Sequence, residues 1–586
     1  MAKKLPAVDA VIVGFGWTGA MIGEQLTAAG LKTVAIERGG WRDTSTDFAV
    51  TFAQDELRYM WRRHLFEEPA RETLTFRNNA GQMALPMRHL GSFLPATGVG
   101  GAGVHWNGQT WRFLPTDFVA RTHNEKRYGP LPDDMTVQDW GVTYDELEPY
   151  YDRFEYLCGI SGKAGNLRGS KQDGGNPFEG PRSRDYPNPP LEMTYGPTLF
   201  GQAARETGHS PFPCPAANMS RAYTNPLGVM LAPCTYCGFC EKFGCGNNSK
   251  ASPQTTILPV LMRRDGFELR TQCEVMRINT DNTGKKATGV TYVDTQGNEY
   301  EQPAEMVFLC AFILHNVRLL LLSGIGTPYD PKTGTGVVGR NYAYQITSSV
   351  DAFFDDKILN PFVGAGALGV GIDDYNGDNF DHSGLGFIGG GYLACWNTNG
   401  RPIETHPVPK DTPKWGAKFK QALVKNYLTT ATVSTHGAVM SYRGNYLDLD
   451  PTYHDAHGRP LMRMTFDFGD NEHRMSDYLT DRASDIAKAM KPREIHAKKR
   501  TGHYSIVPYQ TTHNTGGAVM GTDPGTSVVN RYLQSWDVPN LFVMGASAFP
   551  QNAGYNPTGT IGALTYFALD KIRNEYLKSP GPLVRL

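Results

Sequence analysis

The chain has 586 residues, of which 40% are hydrophobic and 20% charged, with 57 Lys and Arg against 58 Asp and Glu. Such balance excludes a nucleic-acid binder held by a general basic surface, and the apolar content excludes wholesale disorder. At roughly 150 residues per domain the length allows about four domains, yet large α/β enzymes often use fewer, and two interleaved domains are expected.

No run approaches the ~18 consecutive apolar residues of a membrane-spanning helix. The longest candidate, Val307–Leu322, is broken by His315, Asn316 and Arg318. Lys3 and Lys4 precede an apolar run, but Asp9 interrupts it and it ends in Gly14-Phe15-Gly16, so it reads as a strand rather than a signal peptide. The expectation is a chain without its own export signal or anchor, either cytoplasmic or carried out by a partner.

Asp9–Val13 reads as a buried strand, Gly14-Phe15-Gly16-Trp17-Thr18-Gly19 as a turn, Ala20–Ala29 as a helix and Thr33–Ile36 as a second strand ending at Glu37. This is a βαβ unit with GxGxxG in the turn. Gly14 permits the turn, Gly16 lets the backbone approach a pyrophosphate, and Gly19 lets the helix pack on the sheet. The helix N-terminus faces the phosphate charge, and Glu37 stands where ribose hydroxyls need an acceptor. A dinucleotide fold is expected; the motif alone does not separate FAD from NAD.

Gly98-Val99-Gly100-Gly101-Ala102-Gly103-Val104-His105-Trp106-Asn107-Gly108 is a second glycine cluster, dense enough for backbone N–H groups to crowd a phosphate or a flat ring. Beyond it, Tyr144–Leu157 reads as a helix, Phe267–Glu301 alternates as strands, and Glu305–Leu322 as a strand entering a helix. Ser348–Met464 reads as a β-rich substrate side, with a helix around Asn471–Met490 packed on it. Four of the nine cysteines, Cys234, Cys237, Cys240 and Cys245, fall within twelve residues. Four thiolates in a Gly-containing loop suit an iron–sulfur cluster or a structural zinc, and the residues alone leave these two open. Disulfides over such short loops would stabilise little.

The C-terminal block contains His513-Asn514-Thr515-Gly516-Gly517, then Asn540-Leu541-Phe542-Val543-Met544-Gly545-Ala546-Ser547, then Asn556-Pro557-Thr558-Gly559-Thr560 before an apolar helix. With the βαβ unit and Arg318-Leu319-Leu320-Leu321-Leu322-Ser323-Gly324-Ile325-Gly326, it resembles the glucose–methanol–choline (GMC) oxidoreductases over most of the chain. The resemblance implies an α/β fold, with an FAD-binding Rossmann-like domain interleaved with a β-sheet substrate domain. Its expected pieces are residues 1–115, 211–345 and 501–586 for FAD, with 116–210 and 346–500 for the substrate. It implies FAD as cofactor and oxidation of an alcohol. His513 matches the family's catalytic histidine and Asn556 the second active-site position; Gly545 and Ala546 match the strand end beside the flavin. The chemistry agrees, since a near-neutral histidine can take the hydroxyl proton, FAD the hydride, and an amide the developing oxygen charge. Phe312 and His315 depart from the family, where many members carry Gly and an acid.

The segment with Gly100, Gly101, His105 and Asn107 then reads as the flavin-flanking loop, and its His-Trp pair resembles members in which a histidine is bonded to the flavin, so a covalent link at His105 is expected. A GMC chain with this cysteine insert resembles the flavoprotein subunit of bacterial membrane-associated sugar dehydrogenases, most of all the gluconate 2-dehydrogenase branch. That resemblance implies a 3Fe–4S cluster on three of the four cysteines, Cys234, Cys240 and Cys245 being favoured. It implies a multihaem cytochrome c subunit, a small subunit bearing a twin-arginine signal, and a place on the periplasmic face of the inner membrane, reached only through partners. D-gluconate oxidised at carbon 2 is the expected reaction, with 2-ketogluconate, sorbitol, fructose, glucose or a glycoside (at carbon 3) as alternative substrates. A soluble flavoprotein oxidase with a zinc loop and no partner is the contrasting expectation. A non-catalytic FAD electron carrier would not need His513 and Asn556 together.

Overall fold

Strand Val8–Val13 carries VDAVIV with its last four residues buried. It lies between parallel neighbours, Thr33–Ile36 on one side and Glu299–Leu309 on the other. A parallel strand covered on both faces needs an unbroken apolar run, which is what these segments offer. The structure, a computed structural model, describes residues 2–48, 67, 69–70, 72–398 and 405–585. Among them the first sheet has eight strands. Phe267–Arg270 extends it past Thr33–Ile36, Leu541–Val543 joins Glu299–Leu309 in parallel, and Ala287–Asp294 and Cys273–Thr280 continue it antiparallel. Strands from the start, middle and end of the chain thus meet in one sheet.

A second, antiparallel sheet runs in the order Glu494–Lys498, Ile346–Phe353, Thr430–Gly437, Gly391–Trp396, Gly369–Ile372 and Phe212–Pro213. Helix Asp470–Ala489 covers it with a stripe of buried Met475, Leu479, Ala483 and Ile486, spaced by four, four and three residues. The fold is therefore a mixed α/β architecture with a nucleotide-type sheet and a separate β-sheet.

Helix Thr558–Lys571 packs on helices Trp17–Ala28 and Tyr144–Cys158. Tyr144–Cys158 begins with a reciprocal cap between Thr143 and Glu146 and ends at left-handed Gly159. Helices Thr558–Lys571 and Tyr144–Cys158 approach closely, since a Cβ on Gly562 would stand 2.4 Å from the Phe154 ring, and one on Gly559 would stand 2.2 Å from the carbonyl oxygen of Trp111 in a loop.

Some details differ from the sequence reading. The first helix starts at Trp17 rather than Ala20, directly after Gly16, so its first-turn N–H groups point at the glycine turn. The stretch expected to be β-rich also contains helix Ala417–Asn426, built from the strong helix formers of AKFKQALVKN; its residues 399–404 lie outside the described residues. Phe312 adopts φ +68°, a left-handed conformation that glycine would take without strain.

Candidate active site

A cavity of about 590 Å³ runs from the first βαβ unit to the C-terminal helix and is bordered by Glu37 at one end and by His436, His513 and Asn556 at the other. Gly14, Gly16, His105, Asn107, Gly101, Gly545 and Ala546 line it as well. Gly14 takes φ +88°, and a Cβ there would sit 2.7 Å from Ala311 Cα. A Cβ on Gly19 would sit 2.4 Å from the Gly14 carbonyl oxygen, so Gly19 holds the helix against the turn rather than lining the cavity. The Gly100 N–H donates to the Phe15 carbonyl at 2.7 Å, which ties the two glycine loops together. A Cβ on Gly101 would come within 3.1 Å of Gly16 Cα. Bare backbone thus faces the cavity from both loops, beside a helix N-terminus, and these residues fit a bound dinucleotide phosphate.

The Glu37 carboxylate accepts from the Phe15, Gly39 and Gly98 N–H groups at 2.9, 2.8 and 3.2 Å. It fastens both glycine loops in addition to bordering the cavity. Burial lifts its pKa, against the pull of those three donors. Nearby, His315 Nε2 lies 2.6 Å from Glu67, which also pairs with Arg38. Glu67 is buried, yet His315 and Arg38 hold its carboxyl down at about 2. His315 is thus paired with an acid from elsewhere in the chain.

At the other end, His513 Nε2 lies 2.9 Å from Asn556 Nδ2, and His513 Nδ1 bonds to Gln345 Oε1. Gln345 Nε2 donates to the Gly554 carbonyl at 2.8 Å, so its oxygen faces the imidazole. An amide oxygen only accepts, so the His513 proton sits on Nδ1 and Nε2 is an unprotonated acceptor that faces the Asn556 amide. Asn556 Oδ1 shares the one proton of the Tyr392 hydroxyl with Gln109 Oε1, each at 3.0 Å, and its Nδ2 lies on the His513 side. Its amide N–H₂ is therefore turned towards His513 Nε2. Burial, then the nearby His436, lowers the His513 pKa well below the usual range and keeps the ring neutral.

The structure brings His513 and Asn556 together as the sequence motifs suggested. Gln345 and Tyr392 were not singled out, since each lies more than 160 residues from its partner and no local spacing marks it.

The comparisons agree with this geometry. Residues 219–347 and 441–565 match the GMC oxidoreductase family. Over its full length the chain is 50% identical to a gluconate 2-dehydrogenase flavoprotein from Pantoea cypripedii, 96% of which is covered. The chain belongs to the GMC oxidoreductases. It is an FAD-dependent oxidoreductase acting on an alcohol or sugar hydroxyl. It is also 24% identical to a fructose dehydrogenase large subunit from Gluconobacter japonicus, over 98% of this chain and 99% of that one. A crystal structure of pyridoxine 4-oxidase from Mesorbium loti shares the fold, with a TM-score of 0.57 at 16% identity, over 96% of this chain and 98% of that one.

In this GMC oxidoreductase His105 sits in the second glycine loop, 2% exposed. Burial, assisted by the charges of Lys250 and Lys242, pushes its imidazole down to about 3, so the ring is neutral. The cysteine loop lies against it, with the Lys242 N–H donating to the His105 carbonyl at 2.8 Å. Lys250 is fully buried and its Nζ donates to the carbonyls of Trp106, Cys240 and Phe243 at 2.6, 2.7 and 2.9 Å. One buried lysine thus staples the second glycine loop to the cysteine loop.

Among the described residues no three His, Cys, Asp or Glu side chains form a group able to hold a metal ion. The structure therefore does not draw Cys234, Cys237, Cys240 and Cys245 onto one point. Their surroundings nevertheless suit thiolate ligands. Cys234, Cys240 and Cys245 Sγ each accept an N–H, from Tyr236, the Asn218 side chain and Lys250 respectively, at 3.4, 3.5 and 3.3 Å. With protons in place, burial raises Cys234 to about 12, helped by Cys240, and Cys240 to about 11 against the pull of Lys250.

Among the described residues no helix is long and apolar enough to cross a membrane.

Proposed function

We propose that this protein is the catalytic flavoprotein subunit of a dehydrogenase that oxidises a secondary hydroxyl of a sugar acid or polyol, D-gluconate at carbon 2 foremost. The observation that carries the reading is the His513–Asn556 pair at the cavity end, in a chain half identical along its whole length to a gluconate 2-dehydrogenase flavoprotein. His513 is the general base: its unprotonated Nε2 takes the hydroxyl proton once the hydroxyl replaces the Asn556 amide there. Asn556 presents its N–H₂ to the same oxygen and stabilises the charge that develops there. Gly14, Gly16, Glu37, Gly101, Asn107, Gly545 and Ala546, which line the cavity, would cradle FAD, which would supply the hydride acceptor, while Gly100 ties the second loop to Phe15. Gly19 supports that cradle from behind. His105 is the site of covalent attachment, and its neutral ring is the nucleophilic form. Acid precipitation that leaves all the yellow colour in the supernatant would refute the covalent link.

Three of Cys234, Cys237, Cys240 and Cys245 would hold a 3Fe–4S cluster, which would supply one-electron relay. The Lys250 staple supports this by placing the cysteine loop against the flavin-side loop. The acceptor is a cytochrome c subunit, and a small partner subunit with a twin-arginine signal carries the chain to the periplasmic face of the membrane. "Flavoprotein" and "large subunit" in the relatives' names support such an assembly.

A neutral polyol or sugar is the second reading, favoured by one observation. The arginines that line the described cavity, Arg38, Arg318 and Arg459, all pair with acids, respectively Glu67 and Glu72, Asp455, and Glu274 with Asp455. A gluconate carboxylate would need a cation of its own.

The test is a substrate panel on the isolated chain with an artificial one-electron acceptor, together with metal analysis. Turnover of gluconate and about three irons per chain are expected. One zinc per chain with brisk peroxide production would instead identify an oxidase with a structural metal loop.

A further inference from the structure

His513 is not the sole imidazole at its end of the cavity. Strand Thr430–Gly437 alternates buried and half-buried residues, and Thr432, Ser434 and His436 point from one face into the cavity. His436 Nδ1 lies 3.2 Å from Gln345 Oε1, the same oxygen that receives His513 Nδ1. That oxygen cannot donate, so His436 is also an Nδ1–H tautomer with a bare Nε2. The ring is fixed by stacking on Tyr392, with centroids 4.8 Å apart and planes 21° apart. Its centroid is 6.4 Å from that of His513. Among the described residues no protein donor meets His436 Nε2. Burial holds its pKa down at about 4, so the ring remains an acceptor at neutral pH.

Gln345 therefore presents two imidazole acceptors to one cavity. A single hydroxyl has one proton to give, and His513 takes it. A second bare acceptor needs a second hydroxyl. We propose that His436 is a substrate-binding residue that accepts a hydrogen bond from the hydroxyl next to the one oxidised, so that the site selects vicinal diols over isolated alcohols. This rests on the reading of His513 as the base. It adds a specificity role to a residue outside the family's motifs.

The test compares the holoenzyme with His436→Leu and His436→Gln, using an artificial one-electron acceptor. The probes are D-gluconate and 3-deoxygluconate, or the best polyol of the panel and its analogue lacking the neighbouring hydroxyl. Wild type should prefer the full substrate by at least about 100-fold in kcat/KM, because a site built to bond a hydroxyl rejects the analogue without it. His436→Leu should lose most of that preference by slowing the full substrate, with the deoxy analogue within about threefold of wild type. His436→Gln, which keeps an acceptor, should restore part of it. If the Leu variant loses its flavin, the Gln variant carries the comparison, with a loss on the full substrate alone as the expected result. Equal losses on both substrates, or an unchanged preference, overturn the proposal while leaving the functional reading intact. A wild-type enzyme that oxidises none of the panel overturns both.

Discussion

His513 shows how much one side chain depends on its neighbours. Its proton is on Nδ1 because Gln345 offers an oxygen, and the Gln345 amide is oriented because its N–H₂ is taken by Gly554. Replacing His513 with Ala should lower kcat by about 10²–10⁴-fold, the usual contribution of a positioned base, while flavin content is unchanged. The sign of the pH dependence follows from burial. With its pKa pushed below the usual value, the imidazole stays unprotonated as the pH falls through 6.5. The wild-type kcat/KM profile should therefore lack an acid limb near that pH. A limb centred there would show that substrate-free burial does not describe the working ring. The residue types were legible in sequence, because His513 and Asn556 sit in recognisable strings. Their orienting partners were not, since Gln345, Tyr392 and His436 reach the site from the β-sheet side and belong to no motif.

At the scale of elements, the glycine turn and helix Trp17–Ala28 act as one unit. The Gly19→Ala substitution would place a methyl 2.4 Å from a backbone carbonyl that no rotamer change can move aside. The helix must then shift from the turn and its N-terminus from the phosphate position. The expected outcome is a chain that folds but takes up less than about a tenth as much flavin as wild type, because the glycine that holds helix to turn is lost, read from the ratio of flavin to protein absorbance. Full occupancy would mean that the contact is not needed. This unit was readable beforehand because its spacing is local: strand, glycines, helix and acid follow one another within thirty residues. The cysteine loop was readable as a cluster of ligands. Its attachment to the second glycine loop was not, because Lys250 reaches back 144 residues to the Trp106 carbonyl.

For the molecule as a whole, buried ionisable groups pull acid stability in opposite directions. His513 and His436 have folded pKa values below the unfolded value, so the unfolded chain binds their protons first, and each reduces stability as pH falls below about 6.5. Asp373, fully buried under Tyr555, is raised to about 6, chiefly by burial. Here the folded chain binds the proton first. Asp373 therefore adds stability as pH falls through 6, and that gain is complete below the unfolded carboxyl pKa. Comparison with Asp373→Asn isolates this effect. The variant's stability relative to wild type should decline by about 1.4 kcal/mol per pH unit between pH 6 and pH 4, measured by chemical denaturation. A constant difference would show that Asp373 does not titrate in that window.

Taken alone, the sequence determined the βαβ unit, the family and the two motif residues at the end of the cavity. Each is written in short spacings, where local backbone geometry dictates the residue type. Tertiary structure decided what those residues can do. Strands from both termini and the middle of the chain had to close into one sheet before Glu37, the glycine loops and His513 bordered one cavity. Tautomer, amide orientation and the second imidazole depend on hydrogen bonds between residues far apart in the chain, and a linear pattern holds no record of such contacts.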